Sequence, residues 1–234
     1  MGIRGVTTRV DAAGIKRREI PMKVMLLAAG RGSRLAPLTD RTPKPLLPVR
    51  GQSLIQRILG RLKQAGISEA VINTHHLGQQ IERRIGDGMA IGLPIRYSRE
   101  AELLETGGGI KKALPLLKDD VFMVCNADIY TDFDFANAPL RLGEGDLAHL
   151  VLVPTPASRD TGDFDCTEGR IRSRGTDYVY AGIALIHQDL FIGSPQGAFS
   201  LRDLLFKAVA KGQVSAQIHH GRWTDIGTPE EYAY

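Results

Sequence analysis

A basic glycine loop, Gly30-Arg31-Gly32-Ser33-Arg34, opens directly from the apolar run Val24–Leu27, and Lys44 follows it, held between Pro43 and Pro45. Without Cβ atoms, Gly30 and Gly32 let backbone N–H groups approach phosphate oxygens and let the chain enter positive φ. Arg31 and Arg34 add guanidinium forks, which suit phosphate because they bond it bidentately. The two prolines keep the backbone around Lys44 extended, so a third cation is preplaced. This is the chemistry of a nucleoside-triphosphate site. Further on, Asp128 follows the apolar run Val121–Cys125, and Asp225 precedes Ile226-Gly227, where a strand gives way to a turn. Mg²⁺ takes one or two protein carboxylates and completes its octahedron with water and substrate phosphates. Two aspartates from separate strand ends meet that need, although either alone also suits a turn.

Two other glycine motifs do not fit. A P-loop requires G-x-x-x-x-G-K-[ST], and here Ser33 and Arg34 follow Gly32. A dinucleotide fingerprint requires a third glycine where Leu35 stands, and an acid downstream where Leu46 to Gln52 offers none.

The run from Leu27 to Leu35, with Thr42-Pro43-Lys44-Pro45, resembles the opening signature of the sugar-1-phosphate nucleotidyltransferases. Further segments carry the likeness: Asn73 to Gln80, Glu105-Thr106-Gly107-Gly108-Gly109, Asn126-Ala127-Asp128, Gly162 to Asp165, and Trp223 to Thr228. As a set they resemble the branch that uridylylates N-acetylmuramic acid α-1-phosphate in cell-wall recycling, over the chain from about Met22 onward. The resemblance implies a Rossmann-like, doubly wound, mostly parallel α/β sheet of the nucleotide-diphospho-sugar transferase type. It implies in-line transfer from UTP to a sugar-1-phosphate with Mg²⁺ held by Asp128 and Asp225. Gly32, Ser33 and Arg34 then hold the β and γ phosphates, and Lys44 bridges the α-phosphate and the acceptor. Ala28, Ala29, Gly30, Glu105 and Gly108 edge the nucleotide, Asn126 meets nucleoside or sugar, and Asp163 and Gly182 meet the sugar. Other sugar phosphates, choline phosphate with CTP, and a nucleotide-binding regulator without catalysis are the alternatives.

The elements that must position these groups follow from hydrophobic period. Strands are expected at Lys23–Leu27, Ala70–Thr74, Ile95–Ser98 and Val121–Cys125. Helices are expected from Leu54 to Leu62, over Leu77, Ile81 and Ile85, and from Gly109 to Leu117 after a glycine turn. That alternation argues for a parallel sheet. After the strand Ala148–Val153 the pattern changes to a polar hairpin over Asp163–Gly175, a strand over Tyr178–Ile186 and a helix over Ser200–Lys211. Ser200 with Asp203, and Thr228-Pro229-Glu230-Glu231, read as helix starts.

One domain is expected over residues 22–234, preceded by a flexible extension over 1–21 or by an upstream start codon, while the final helix looks cut short. A net charge of +4 with 6% aromatic residues suits anionic small molecules better than nucleic acid. No apolar run approaches a membrane span, so a cytoplasmic monomer or weak homo-oligomer is expected. Cys125 and Cys166 make no metal or disulfide pattern and are expected as reduced, buried thiols. The pairs His75-His76 and His219-His220 are poorly spaced to chelate one ion. Lys44 is expected to be exposed.

Overall fold

Val24 to Leu27 is uninterrupted by polar residues because both faces of this strand are covered, as a computed structural model shows. The structure describes residues 7–10 and 16–232, with side chains from Met22 onward. Its strands are β1 (Thr7–Val10), β2 (Lys16–Leu27), β3 (Pro48–Val49), β4 (Gln52–Ser53), β5 (Ile67–Thr74), β6 (Ile95–Arg99) and β7 (Val121–Asn126). There follow β8 (Ile129–Thr131), β9 (Ala148–Pro154), β10 (Phe164–Thr167), β11 (Arg170–His187), β12 (Val214–Ile218) and β13 (Trp223–Asp225). The helices are α1 (Leu38–Arg41), α2 (Leu54–Gln64), α3 (Gly78–Ile85), α4 (Glu105–Leu117), α5 (Leu201–Ala210) and α6 (Pro229–Tyr232).

The main sheet runs β12-β9-β11-β7-β2-β5-β6. Strands β7, β2, β5 and β6 are parallel neighbours, β9 and β12 pair parallel, and β11 lies antiparallel between the two groups. This is a doubly wound, mostly parallel α/β sheet with helices on both faces. Alternation along the strands divides the core. Val24 and Leu26 of β2 join Ala70 and Ile72 of β5 against Ile55, Ile58, Leu59 and Leu62 of α2. Met25 and Val71 point the other way, to Ile110, Ala113 and Leu117 of α4 and to Leu204 and Leu205 of α5. Each fully buried aliphatic side chain here contributes about 1.5–3 kcal/mol of transfer free energy.

A third, smaller cluster bears directly on the site. Leu35, Leu47, Leu54 and Ile226 pack together, with Tyr130 and Tyr232 against them. It ties the segment after the glycine loop to the segments beyond Lys44 and Asp225.

Several boundaries differ from expectation. Strand β2 begins at Lys16, and Thr7–Val10 pair antiparallel with Lys16–Glu19. Within the expected extension over 1–21, residues 1–6 and 11–15 lie outside the described residues. The helix expected from Gly109 begins at Glu105, so all three glycines are helical. Close packing overrides their poor helix propensity. A Cβ on Gly107 would lie 2.4 Å from the Phe199 ring, and one on Gly108 2.2 Å from the Gly197 carbonyl. The polar hairpin turns at Glu168 and Gly169, both at positive φ, and β11 then continues unbroken to His187. Ser200 caps α5 through the Arg202 N–H at 3.2 Å, one position earlier than a capping box requires. Both cysteines are free, and Cys166 is only half-buried. Among the described residues no helix is long and apolar enough to cross a membrane.

Candidate active site

The carboxyl ends of β2 and β7 lie side by side, Leu27 opposite Asn126, and open α/β sheets bind ligands at that edge. Beyond β2 the chain passes Ala28, whose N–H donates to Asn73 Oδ1 at 2.8 Å, and enters the glycine loop. Gly32 sits at φ 65°, where a side chain would be strained and its Cβ would press Thr39 and Lys44 at 3.0 and 3.1 Å. The Thr39 hydroxyl fastens the loop by donating to the Gly32 carbonyl at 2.9 Å. Around Gly30, by contrast, there is open space.

Lys44 lies in a short turn of 3₁₀ helix, Lys44–Leu46, that follows Pro43. Contrary to the exposed position expected, it is only 7% exposed. The reason is ionic: its Nζ stands 2.6 Å from Asp128 Oδ2 and 3.6 Å from Asp225 Oδ1. Asp128 leaves β7 through Ala127, whose N–H donates to the Leu27 carbonyl at 3.0 Å. Asp225 ends β13 opposite Ile129, and the Ile226 N–H reaches back to the Asp128 carbonyl at 3.3 Å. A reciprocal capping box fixes the next turn. Glu231 Oε2 accepts from the Gly227 and Thr228 N–H groups at 2.7 and 2.9 Å, while Thr228 Oγ1 accepts from the Glu231 N–H at 3.3 Å. Gly227 lies against the Arg34 guanidinium, where a Cβ would come within 2.7 Å and turn that side chain aside.

Burial raises the Asp128 carboxyl above its ordinary value; the Lys44 ammonium opposes that rise and the Asp225 carboxylate adds to it. The two carboxylates share the Lys44 ammonium, and Asp225 has a second cation, Arg159, at 3.7 Å from its other oxygen. Carboxylate oxygens are the donors a hard divalent ion takes, so Asp128 and Asp225 would fit such an ion. Among the described residues no group of three or more His, Cys, Asp or Glu could hold a metal, and His75 and His76 turn to different partners. His75 bonds the Glu100 carbonyl at 3.0 Å and His76 the Thr39 carbonyl at 2.9 Å.

Three cavities meet at these aspartates. The first, about 230 Å³, is lined by Ala28, Gly30, Gly32, Ser33, Arg34, Lys44, Asp128 and Gly227. The second, about 370 Å³, is lined by Ala29, Gly30, Asn73, Leu103, Glu105, Thr106, Asn126, Asp128 and Ser200. The third, about 400 Å³, opens on the other side of Asp225, with Trp223, Pro156 and Arg159 in its wall. Most of the residues expected at the site therefore converge.

Three of those residues stand differently. Gly108 lines none of these cavities and serves the packing of α4 against Gly197. The Asp163 carboxylate accepts from the Tyr180 N–H at 2.9 Å and so braces the irregular stretch of β11 between Tyr180 and Ile183. Gly182 lies in that stretch at φ 75°, close enough to Asn126 that a Cβ would approach its Nδ2 to 2.7 Å.

Sequence reasoning missed a buried brace. Asn73 Nδ2 donates to Glu100 Oε1 at 2.7 Å, and Glu100 Oε2 accepts from the Leu104 N–H at 3.0 Å. This pair joins Ala28 to the start of α4 across the second cavity. Its only sequence signal is a charged residue, Glu100, directly after the short strand β6.

Comparison with known proteins agrees with this geometry. A family model described as nucleotidyl transferase matches residues 23–162. The N-acetylmuramate alpha-1-phosphate uridylyltransferase of Neisseria meningitidis serogroup B is 45% identical over 216 residues, covering 88% of this chain and 94% of that one. The enzyme of the same name from Caulobacter vibrioides is 33% identical, covering 91% and 94%. The crystal structure of HddC from Yersinia pseudotuberculosis superposes with a TM-score of 0.75 at 23% identity, over 91% of this chain and 96% of that one.

Proposed function

The chain belongs to the nucleotidyl transferase family, and from that premise we propose that it transfers UMP from UTP to N-acetylmuramic acid α-1-phosphate, forming UDP-N-acetylmuramic acid and pyrophosphate. The observation that carries the reaction type is Lys44 Nζ at 2.6 Å from Asp128, at the junction of three cavities. The 45% identity over most of both chains supports the uridine nucleotide and the acceptor. The product class supports a role in peptidoglycan recycling, with the cytoplasm as the expected location.

An acceptor phosphate oxygen attacks the α-phosphorus of UTP in line. One P–O bond forms as the bond to the β-phosphate breaks, and pyrophosphate leaves with the electron pair. Phosphate is ionised at neutral pH, so no general base is needed, and the work is positioning and charge neutralisation. The first cavity takes the β and γ phosphates. There the backbone around Gly30, Gly32 and Ser33 supplies N–H donors and Arg34 a guanidinium fork. Lys44 turns from the aspartates to the α-phosphate, where negative charge builds. The second cavity takes the nucleoside, with Asn126 and Glu105 as polar contacts and Leu103 and Ala29 as apolar walls. Asp128 and Asp225 would hold Mg²⁺, which supplies charge neutralisation and orientation of the reacting phosphates when bound.

The test is pyrophosphate release with Mg²⁺, UTP and N-acetylmuramic acid α-1-phosphate, beside the other nucleoside triphosphates and hexosamine 1-phosphates. Release confined to the first pair is expected. Release with another pair overturns the substrate and keeps the chemistry. Silence with every pair, in protein that still binds nucleotide, overturns the catalytic reading.

A further inference from the structure

The attacking group is itself a phosphate, and it must be held on the side of the aspartates away from the triphosphate. Arg34 and Lys44 line the first cavity. The arginines of β11, the strand that borders the acceptor side, are turned elsewhere. Arg170 is bonded to Asp146, Arg172 pairs with Glu168 and Arg174 stacks on Phe206. The third cavity has one cation in its wall, Arg159, among the carboxylates Asp225, Glu230 and Glu231; Glu231 is already spent on the Gly227 and Thr228 N–H groups.

We propose that Arg159 is a catalytic residue that grips the 1-phosphate of the acceptor. Three observations converge on it. Its Nη2 lies 3.7 Å from Asp225 Oδ2, whereas Lys44 faces the other oxygen of the same carboxylate at 3.6 Å. The two cations thus flank Asp225, one from the triphosphate cavity and one from the third. Arg159 also closes a turn, its N–H donating to the Pro156 carbonyl at 2.9 Å. That turn holds it at the mouth of the cavity while the side chain stays 38% exposed and free to swing. The opposite wall is Trp223, whose Nε1 donates to the Ala181 carbonyl at 2.8 Å. Its ring is thereby fixed beside Gly182 as a flat face of the kind that covers an apolar ligand surface. A guanidinium can bond two oxygens of one phosphate and leave the third to attack. The acceptor then enters with its phosphate between Arg159 and Lys44 and its sugar toward Trp223.

The inference rests on the transferase reading, but not on which sugar is the acceptor. The experiment is steady-state pyrophosphate release for wild type, Arg159→Ala and Arg159→Lys, with acceptor varied at saturating nucleotide. Nucleotide binding is measured calorimetrically without acceptor in the same three proteins. Hydrogen bonds to a charged group are worth enough that Arg159→Ala should lower kcat/KM for the acceptor by about 10- to 100-fold. Lysine should recover part of that loss, and nucleotide affinity should be unchanged. Unchanged acceptor kinetics overturn the proposal, as does an equal loss of nucleotide binding. The acceptor named above also carries a lactyl carboxylate, so a hexosamine 1-phosphate without that group is run in the same three proteins as a competitive inhibitor. A defect with no counterpart in the inhibition constant shows that Arg159 reads the carboxylate and overturns the phosphate assignment. If wild type is silent with N-acetylmuramic acid α-1-phosphate but active with another acceptor, the acceptor reading fails. Arg159 is then judged on the acceptor that works.

Discussion

Two aspartate–cation pairs of nearly the same length lie at opposite edges of the main sheet, and they serve opposite ends. At the carboxyl edge, Asp128 and Lys44 stand 2.6 Å apart. At the other edge, Asp146 and Arg170 stand 2.7 Å apart. Length does not tell them apart; their surroundings do. Asp146 is 2% exposed and has Arg170 as its ion-pair partner, and Arg170 spends a second nitrogen on the Gly212 carbonyl. That pair has its donors and acceptors in balance. Asp128 is 27% exposed, borders two cavities and shares Lys44 with a second carboxylate. A point-like ammonium between two aspartates can be exchanged for another cation, whereas a fork locked to a carboxylate and a carbonyl cannot. One pair is built to open and the other to stay closed.

The sharpest way to break this comparison is Lys44→Ala, which should lower turnover by about 10²- to 10³-fold, the range for loss of one transition-state donor. Circular dichroism should show the fold retained, and wild-type turnover would remove Lys44 from the mechanism. Arg170→Ala should do the reverse. Leaving Asp146 buried without its partner should cost about 3 kcal/mol in urea unfolding, with kcat within twofold of wild type.

A smaller effect separates the pairs by pH. The raised carboxyl of Asp128 keeps its proton to higher pH in the folded state than its ordinary 3.8 allows. Acidification through that window therefore stabilises the fold at this residue while removing the ionised carboxylate on which the proposed metal site depends. The acid limb of kcat/KM should lie above 3.8 and should move down as Mg²⁺ is raised, because metal and proton compete. A limb indifferent to Mg²⁺ would count against Asp128 as a ligand. The smallest effect belongs to His149, which bonds Ser215 and Gln217 across β9 and β12 and is held below its ordinary value by burial. Folded His149 binds fewer protons than unfolded, so stability is lost as pH falls through 6.5. His149→Gln should flatten that part of the stability profile and leave the acid limb of activity in place.

What could be read from sequence was what lies close together in the chain. The parallel strands announce themselves because a strand covered on both faces has no polar residue to spare, as Val24–Leu27 and Val121–Cys125 show. The glycine loop and the Thr228–Glu231 box are likewise local patterns. The rest depended on partners distant in sequence. Lys44 looks like a surface cation until Asp128 and Asp225 are brought to it. Glu105 to Gly109 looks like a turn until Phe199 and Gly197 press on its glycines. Arg159 is one basic residue in a polar loop until Asp225 faces it, and Glu100 has no evident task until Asn73 arrives.

The small cluster of Leu35, Leu47, Leu54 and Ile226 has a consequence for how the enzyme is made. Domains begin to fold while they are being synthesised, amino-terminal part first, so the glycine loop, Lys44 and Asp128 all emerge from the ribosome long before Ile226. Until Ile226 arrives, Leu35 and Leu47 lack their apolar partner and Asp225 is not in place. A nascent chain can therefore assemble most of the sheet before the proposed site is complete.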